Sequence, residues 1–305
     1  MAQNFLLWLL YYFRFMIKHV PYHQIDKNKY DYCIHHSFES RIYAYSWYLD
    51  SVTKCWDVMM EGDYESVMPI PRKTKYGMPY VYTPSWVQQL GLFSLNKSSE
   101  NLQKEFLKSI SKKFLWIDYQ MNSDNFGIAG SALIKRNYLL SIKGGIDDIQ
   151  ANYNKNRKRI SRKIIDDLIL DKNGDLDVFI ENYMNQHKPY DISEESIAQL
   201  ECLCRNNKDH VHIWNVFIKE EFMAGLVWLK DSHRITYLAP LAGERGKKLH
   251  IPTYLINTLI NDFQGQNLVL DFEGSMVSGV ENFYKSFGAK AESYYYFKKR
   301  FIDHV

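Results

Sequence analysis

The sequence contains few cysteines, and their spacing predicts neither a metal site nor a disulfide framework. The four are Cys33, Cys55, Cys202 and Cys204. Cys202 and Cys204 have C-x-C spacing but lack the second C-x-x-C pair or the histidine pair of a zinc site. We expect reduced, partly buried thiols, as in a cytosolic protein, and no bound metal. The sequence also shows no P-loop and no Ser-His-Asp arrangement.

A strong excess of charge is lacking as well. Thirty-eight Lys and Arg residues face 35 Asp and Glu residues, which gives a formal net charge of +3. This balance does not indicate a general nucleic-acid binder, and we expect no DNA partner, although local basic clusters are still informative. The 305 residues are 46% hydrophobic and 24% charged, which is typical of globular proteins. That length predicts two domains of about 150 residues each.

The N-terminal apolar run is too short to span a membrane. The run FLLWLLYYF, residues 5–13, is soon followed by Arg14 and Lys18, whereas a spanning helix needs about 20 apolar residues. No positive charge precedes the run and no small residues follow it, as a signal peptide would require. Residues 1–15 are therefore either a packed or amphipathic helix or upstream sequence before a natural start at Met16. We favour the second interpretation and expect no transmembrane segment.

Hydrophobic periodicity predicts the same order of elements in both halves: helix, antiparallel strands, helix, strand. In the first half, a helix at 42–52 precedes a meander of short strands, and a helix at 102–114 precedes a strand at 114–121. No low-complexity linker separates the halves. We place the boundary at Gly144-Gly145, which gives domains 16–144 and 145–305.

In the second half we expect a strand at 137–142, a basic helix from 146, helices at 176–187 and 193–205, strands at 210–218, 222–230 and 234–241, a helix at 253–263, a strand at 267–272, a helix at 279–287 and a strand at 294–301.

The segment LDFEGSMVSGVENFYKSFGAK, residues 270–290, resembles the late strand and helix of the GNAT acyltransferases. An aromatic-Tyr-x-x-x-Gly pattern is common there, and here it runs from Phe283 and Tyr284 to Gly288. A chain of two such domains is similar to the Fem-type transferases, which add amino acids to peptidoglycan precursors, and to related tandem-GNAT proteins of bacteria. The basic run at 154–163 resembles the opening of their second domain. The long helical hairpin that tRNA-using Fem-type enzymes often carry has no counterpart.

This resemblance covers about residues 30–300 and implies an α+β fold with mixed sheets in two tandem GNAT-like domains. It also implies a donor site, because GNAT-like folds hold the CoA pyrophosphate with backbone N–H groups in a loop before a helix. The implied donor is acyl-CoA or aminoacyl-tRNA. The usual Arg/Gln-x-x-Gly-x-Gly/Ala motif is not intact, so a solvated basic loop is the alternative. The candidate donor-binding residues are Gly243, Arg245, Gly246, Lys247 and Lys248.

Three residues are candidates for catalysis. Asp271 and Glu273 would lie on one face of the strand at 267–272, where one carboxylate with a raised pKa would serve as general base for an attacking amine. The alternative is that Asp271 pairs with a basic residue and that Glu273 faces solvent. Tyr284 resembles the tyrosine that protonates the leaving group in GNAT enzymes; the alternative is a core aromatic residue.

Trp86, Gln88, Gln89 and Ser275 are candidates for substrate binding. The three N-terminal members form a polar and aromatic stretch of a kind that can line a ligand cleft. The basic run at 154–163 is either a solvated helix or a surface for a phosphate-rich ligand such as tRNA.

Two functions follow as expectations. The first is an acyl- or aminoacyltransferase that moves an acyl group from a thioester or ester donor to the amine of a small molecule or a peptidoglycan-precursor-like acceptor. The second is a non-catalytic tandem-GNAT protein that binds a nucleotide-like or peptide ligand. We expect a bacterial, cytoplasmic protein, peripheral at the inner membrane if its substrate is linked to lipid.

Overall fold

The computed structural model describes residues 16–126, 132–186, 192–274 and 277–300. The chain forms two compact units, one of residues up to Lys135 and from Ser293 onward, and one of Arg136–Glu292. The predicted domains, 16–144 and 145–305, divide the chain elsewhere, because the last strand of the chain pairs mainly within the first unit. Residues 1–15 and Ser275 lie outside the described residues.

The first unit contains a mixed sheet. The strand order is β1-β2-β3-β4-β6-β13, with β5 beside β3, and β4 and β6 form a parallel pair. Short 3-10 helices occur at Tyr22–Gln24 and Ile42–Ala44. The elements are β1 (Lys18–Val20), α1 (Lys27–His36), α2 (Ser46–Val52), β2 (Trp56–Glu61), β3 (Ser66–Lys75), β4 (Met78–Tyr82), β5 (Phe93–Ser94), α3 (Glu100–Lys113), β6 (Ile117–Met121) and the final strand β13 (Lys290–Lys299).

The second unit contains a mixed sheet of order β7-β12-β11-β10-β9-β8, in which β11 and β12 form the parallel pair. Each unit thus places a parallel pair within an otherwise antiparallel sheet. The elements are β7 (Ala132–Ser141), α4 (Ile146–Ala151), α5 (Lys155–Ser161), β8 (Leu168–Asp171), α6 (Leu176–Asn185), α7 (Glu194–Asn206), β9 (Val211–Ile218), β10 (Glu221–Lys230), β11 (Arg234–Ala242), α8 (Glu244–Lys248), α9 (Ile251–Phe263), β12 (Val269–Asp271) and α10 (Ser278–Lys285).

The core of the second unit lies between its sheet and α9. β10 is a nearly continuous apolar run and is buried from Met223 to Leu229, as a central strand with both faces covered should be. α9 contributes Ile251, Leu255 and Leu259, at helical spacing, to the same core. This packing fixes the start of α9 close to the end of β11.

Two predicted features of the second unit were wrong in detail, and one strand was missed. The basic segment from 146 forms two short helices, because Asn154 caps α5 by accepting a hydrogen bond from the backbone N–H of Arg157 (2.8 Å). The predicted loop around 243–248 is instead helix α8. The strand β8 (Leu168–Asp171), which pairs with β9, was missed.

Within the described ranges, no helix combines the length and apolar character needed to cross a bilayer.

Candidate active site

The sheet of the second unit opens along β11. β11 and β12 pair over only three residues each, Arg234–Thr236 with Val269–Asp271. β11 then continues to Ala242 along β10, whereas β12 ends at Asp271. The second half of β11 is therefore unpaired on the β12 side among the described residues.

Residues from this half of β11 line a cavity of about 520 Å³. The other walls come from α5, from the start of α9 and from α10. Arg157, Lys247 and His250 supply nitrogen-bearing side chains, while Ile160, Leu255 and Phe283 supply apolar surface. Among the residues that the structure describes, no Asp or Glu lines the cavity. It is thus an apolar cavity with basic groups in its wall.

Arg157 is the most unusual residue of this cavity, because its guanidinium is buried without a carboxylate partner among the described residues. The residue is only 7% exposed. Nε donates a hydrogen bond to Ser286 Oγ (2.9 Å), and Nη1 donates one to Thr253 Oγ1. The guanidinium carbon lies 4.5 Å from the ring centroids of Phe283 and Phe287.

Burial of this cation has an electrostatic cost. Desolvation lowers the pKa of Arg157 to about 10, and the charge interaction with Tyr153 opposes this change. Hydroxyl groups and aromatic faces compensate a buried charge only in part, and a paired anion would complete the compensation. The guanidinium of Arg157 is thus prepared to pair with an anionic group of a ligand in the cavity.

Two further basic side chains line the cavity near α9. Lys247 lies on α8 and forms an exposed ion pair with Glu244 (2.9 Å). His250 precedes α9 and adopts a left-handed backbone conformation (φ 61°). Burial lowers the pKa of His250, and the positive charges of Lys163, Arg157 and Arg159 lower it further. The imidazole is therefore neutral at pH 7 and able to accept a proton.

Tyr284 and Tyr237 bring phenol groups to the cavity. Tyr284 is 6% exposed and stacks on Phe272, with ring centroids 4.5 Å apart. Tyr237 approaches Tyr284 edge-on at 6.5 Å, and burial raises the pKa of Tyr237 above its usual range. Tyr284 therefore packs against the core with its ring, as the core-aromatic alternative expected, and it also lines the cavity.

Several backbone N–H groups of the predicted phosphate loop are already used within the chain. The backbone N–H groups of Lys247, His250 and Thr253 all donate to carbonyl oxygens within the chain, and Gly243 N–H donates to Met223 O (3.2 Å). Pro252 has no N–H at all. Gly243, Lys247, His250 and Thr253 therefore offer no free backbone N–H group for the predicted recognition of a pyrophosphate.

The other members of the predicted donor site have different surroundings. Arg245 forms an exposed ion pair with Glu221 on β10. Lys248 is exposed and does not line the cavity. Of the five predicted residues, Lys247 alone lies in the cavity wall among the described residues.

Gly246 is required for packing. A Cβ at this position would overlap the backbone carbonyl oxygen of Met223 on β10. We expect Gly246→Ala to lower the free energy of unfolding by about 1–3 kcal/mol, since backbone atoms cannot move aside as a flexible side chain can. Urea unfolding of the unliganded protein measures this loss. An unchanged urea midpoint in Gly246→Ala would contradict the packing role. Gly265→Ala is the control for backbone strain alone, because a Cβ there meets nothing within 4 Å while φ is 79°.

Asp271 and Glu273 do not share a strand face, because β12 ends at Asp271. Asp271 is 1% exposed, and its Oδ2 accepts a hydrogen bond from Arg234 Nη1 (2.7 Å). Its other oxygen accepts one from the backbone N–H of Glu273 (2.9 Å), and Glu273 turns the chain with φ 57°. Neither carboxylate lines the cavity. The geometry thus agrees with the structural alternative for Asp271.

The candidate substrate residues of the first unit belong to its buried framework. Gln89 is fully buried, and its Oε1 accepts hydrogen bonds from Ser123 N (3.0 Å) and Arg41 Nε (3.4 Å). Its Nε2 donates to Gln88 Oε1 (3.0 Å), and the backbone carbonyl of Trp86 accepts a hydrogen bond from Tyr48 Oη. This network stabilises the fold of the first unit.

Sequence reasoning missed Arg157 and His250 as site residues. Arg157 was part of a basic run that spreads around a helix, but it lies three residues before Ile160, the apolar residue of that helix that faces the core. A lone arginine on the apolar face of a short helix is the signal that could have identified it. His250 had no such signal, because its place depends on the turn between α8 and α9.

The fold is that of tandem GNAT-like proteins of the Fem type, an α+β fold with mixed sheets. The crystal structure of FemX is 11% identical and matches 90% of this chain and 96% of that chain, with a TM-score of 0.62. A tandem GNAT protein from the clavulanic acid biosynthesis pathway is 8% identical over 93% and 98% of the two chains, with a TM-score of 0.52. The C-terminal domain (DUF2156) of a putative lysylphosphatidylglycerol synthetase from Agrobacterium fabrum is 9% identical over 91% and 92%, with a TM-score of 0.50.

No protein-family model matches the chain, and no curated protein matches it. The matches to solved structures confirm the resemblance seen in the sequence for the fold. Activity, donor and acceptor have to be argued from the residues of the cavity.

Proposed function

We propose that this protein is an acyl- or aminoacyltransferase that transfers an acyl group from a thioester or ester donor to an amine. The observation that carries the proposal is Arg157, a buried cation that has no carboxylate partner among the described residues and lines an apolar cavity. Acyl-CoA and aminoacyl-tRNA both join a phosphate-bearing portion to an activated acyl group. A cavity with a cation in one wall and apolar side chains in the others suits both portions.

The reaction can be assigned to residues of the cavity. The amine nitrogen attacks the acyl carbon, and the carbon–sulfur or carbon–oxygen bond of the donor breaks. Neutral His250 accepts the proton that the amine loses, and Tyr284 donates its proton to the leaving thiolate or alkoxide. This assignment replaces Asp271 as the general base, since the carboxylate of Asp271 is engaged by Arg234.

The donor's phosphate is recognised by side chains in this proposal. The N–H groups of Gly243, Lys247, His250 and Thr253 are used within the chain, whereas Arg157 and Lys247 bring positive charge to the cavity wall. Fem-like and GNAT-like neighbours support both donor classes, and the acceptor is an amine of a small molecule or a peptidoglycan-precursor-like compound. We place the reaction in the cytoplasm, or at the inner membrane surface for a lipid-linked acceptor.

Lys247 and Lys248 form a matched pair for testing donor binding. Both are exposed neighbours on α8, but only Lys247 lines the cavity. We expect Lys247→Ala to weaken the binding of the preferred donor roughly tenfold, because it removes one charged contact to phosphate, and Lys248→Ala to leave binding unchanged. Thermal shifts with CoA, acetyl-CoA, longer acyl-CoAs and total tRNA identify the donor, and titration gives the two affinities. Equal losses in both variants would contradict the assignment of the cavity.

The second candidate function is a non-catalytic protein that uses the same cavity to bind a nucleotide-like or peptide ligand. It is favoured by the replacement of the phosphate loop by helix α8. Binding of a donor without any transfer of its acyl group to amines would support this alternative.

A further inference from the structure

One face of the sheet in the first unit is rich in aromatic and basic side chains. The strands β3, β4, β6 and β13 are neighbours in this sheet. Val81 on β4 pairs with Ile117 on β6, and both are fully buried, so they point into the core of the unit. Side chains one residue away along these strands point to the opposite face. We call that opposite face the aromatic face.

Strand register places four aromatic rings on the aromatic face. Tyr80 and Tyr82 alternate with Val81 on β4, and Trp116 directly precedes Ile117 at the start of β6. Tyr296 on β13 pairs with Gln120 of β6, one residue from the buried Tyr119. Each of the four rings is half-buried and therefore still reaches solvent.

The rings of the aromatic face are close to one another. Tyr80 and Trp116 stack with centroids 5.0 Å apart and an interplanar angle of 27°. Tyr82 lies 6.0 Å from Tyr80. Large aromatic side chains that reach solvent together on a sheet are unusual for a surface that only contacts water, and they are typical of a binding surface.

Lysines surround these rings. Lys73 Nζ lies 4.9 Å from the Tyr82 centroid, and Lys75 Nζ lies 5.5 Å from the Trp116 centroid. Lys135 Nζ lies 4.5 Å from the Tyr296 centroid, and Lys298 pairs across the strands with Asp118. Lys75, Lys135 and Lys298 thus bring three ammonium groups to this face, and Asp118 is a neighbouring carboxylate.

Asp118 interacts with two neighbours on this face, Tyr296 and Lys135. Burial raises the pKa of Tyr296 to about 12, and a hydrogen bond to Asp118 contributes. Burial also lowers the pKa of Lys135, with Asp118 opposing that change only in part. An anion near Lys135 would favour its charged form.

We propose that the aromatic face binds single-stranded nucleic acid. Unpaired bases stack on the rings of Tyr80, Trp116 and their neighbours, and the lysines contact the phosphates between them. A duplex hides its base faces and offers nothing to stack on the rings. An uncharged glycan would make no ionic contact with Lys75, Lys135 or Lys298. This site is separate from the cavity that contains Arg157, and its test does not depend on acyl transfer.

Fluorescence anisotropy with a labelled, mixed-sequence RNA of about ten nucleotides tests the proposal on the full chain. We expect saturable binding at roughly 50 mM salt, weakened roughly tenfold or more in Tyr80→Ala and retained in Tyr80→Phe, because stacking needs the ring and not the hydroxyl. Tyr32→Ala, an exposed tyrosine on α1, is the control and should bind as the unaltered protein does. Thermal unfolding confirms that each variant is folded.

A second variant tests the lysines and does not disturb packing at a ring. Lys75→Ala combined with Lys298→Ala should reduce the slope of log affinity against log salt by about 1.4, the value for two lost phosphate contacts on a single strand. Lys104→Ala with Lys108→Ala on α3 should leave the slope unchanged. The proposal would be overturned by absence of RNA binding or by equal binding of the same RNA as a duplex. It would also be overturned by preference for an uncharged chitin oligomer or by unchanged RNA affinity in Tyr80→Ala.

Discussion

Replacing Arg157 by Met should strongly weaken donor binding without destabilising the unliganded protein. Methionine keeps a long side chain between Phe283 and Phe287, but it removes a buried charge that has no carboxylate partner among the described residues. Replacing buried charge by apolar side chains is often neutral or stabilising. We therefore expect the free energy of unfolding of Arg157→Met to change by about 0 to +2 kcal/mol. Removal of the buried charge offsets the loss of the hydrogen bonds to Ser286 and Thr253.

The same substitution should weaken the binding of the preferred donor at least about thirtyfold, which corresponds to about 2 kcal/mol, because a desolvated charge pair with phosphate is lost. Urea unfolding without ligand and titration with donor measure the two effects on one preparation. Arg205→Met provides the control, since Arg205 is an exposed arginine of the same unit that pairs with Asp177. Strong destabilisation of Arg157→Met would mean that this arginine stabilises the fold. Full donor affinity in Arg157→Met would contradict the proposed donor site.

Replacing Asp271 by Ala should destabilise the protein strongly, whether or not a donor is present. Arg234 is only 12% exposed and contacts Asp271 (2.7 Å) and Glu292 (3.1 Å). Burial alone would lower the pKa of Arg234, but the two carboxylates raise this pKa above its usual range. Removing Asp271 leaves this cation with one ionic partner, and the expected loss is about 3 kcal/mol.

Asp262→Ala is the matched control, because Asp262 pairs with Lys172 at the surface (2.6 Å) and its loss should cost less than about 1 kcal/mol. Chemical unfolding of both variants without donor measures the difference. If Asp271→Ala were as stable as the unaltered protein but unable to transfer an acyl group, the general-base role first inferred from the sequence would be restored.

Elements with clear hydrophobic periodicity were predicted closely from the sequence. The helix expected at 176–187 is Leu176–Asn185, and the helices expected at 102–114 and 253–263 are Glu100–Lys113 and Ile251–Phe263. Each of these elements buries one face or one stripe of apolar side chains, so its period is visible in the sequence.

Segments whose conformation depends on polar or backbone contacts were not predicted. The run from Gly243 to Lys248 has a loop-like composition, yet it forms a helix in which Gly246 packs against the carbonyl of Met223. The strand with Asp271 was expected to continue, but the Asp271 side chain bonds the Glu273 backbone N–H and the chain turns. Such contacts leave no periodic pattern in the sequence.

The composition of the cavity also could not be predicted from the sequence. Arg157 on α5, His250 before α9 and Tyr284 on α10 come together only because β11 and β12 diverge after three paired residues. The resemblance to GNAT proteins identified Tyr284 and Lys247, whose places follow from the family pattern. It did not identify Arg157, because a basic helix that opens the domain does not reveal which of its cations faces inward.

The most direct test of this account is the structure of the complex with the donor that stabilises the protein in the thermal-shift panel. We predict a phosphate oxygen of the donor at roughly 2.7–2.9 Å from a guanidinium nitrogen of Arg157, and the acyl group beside His250 and Tyr284. A donor bound elsewhere on the chain, with Arg157 still contacting only Ser286, Thr253 and the two phenylalanine rings, would contradict the central claim.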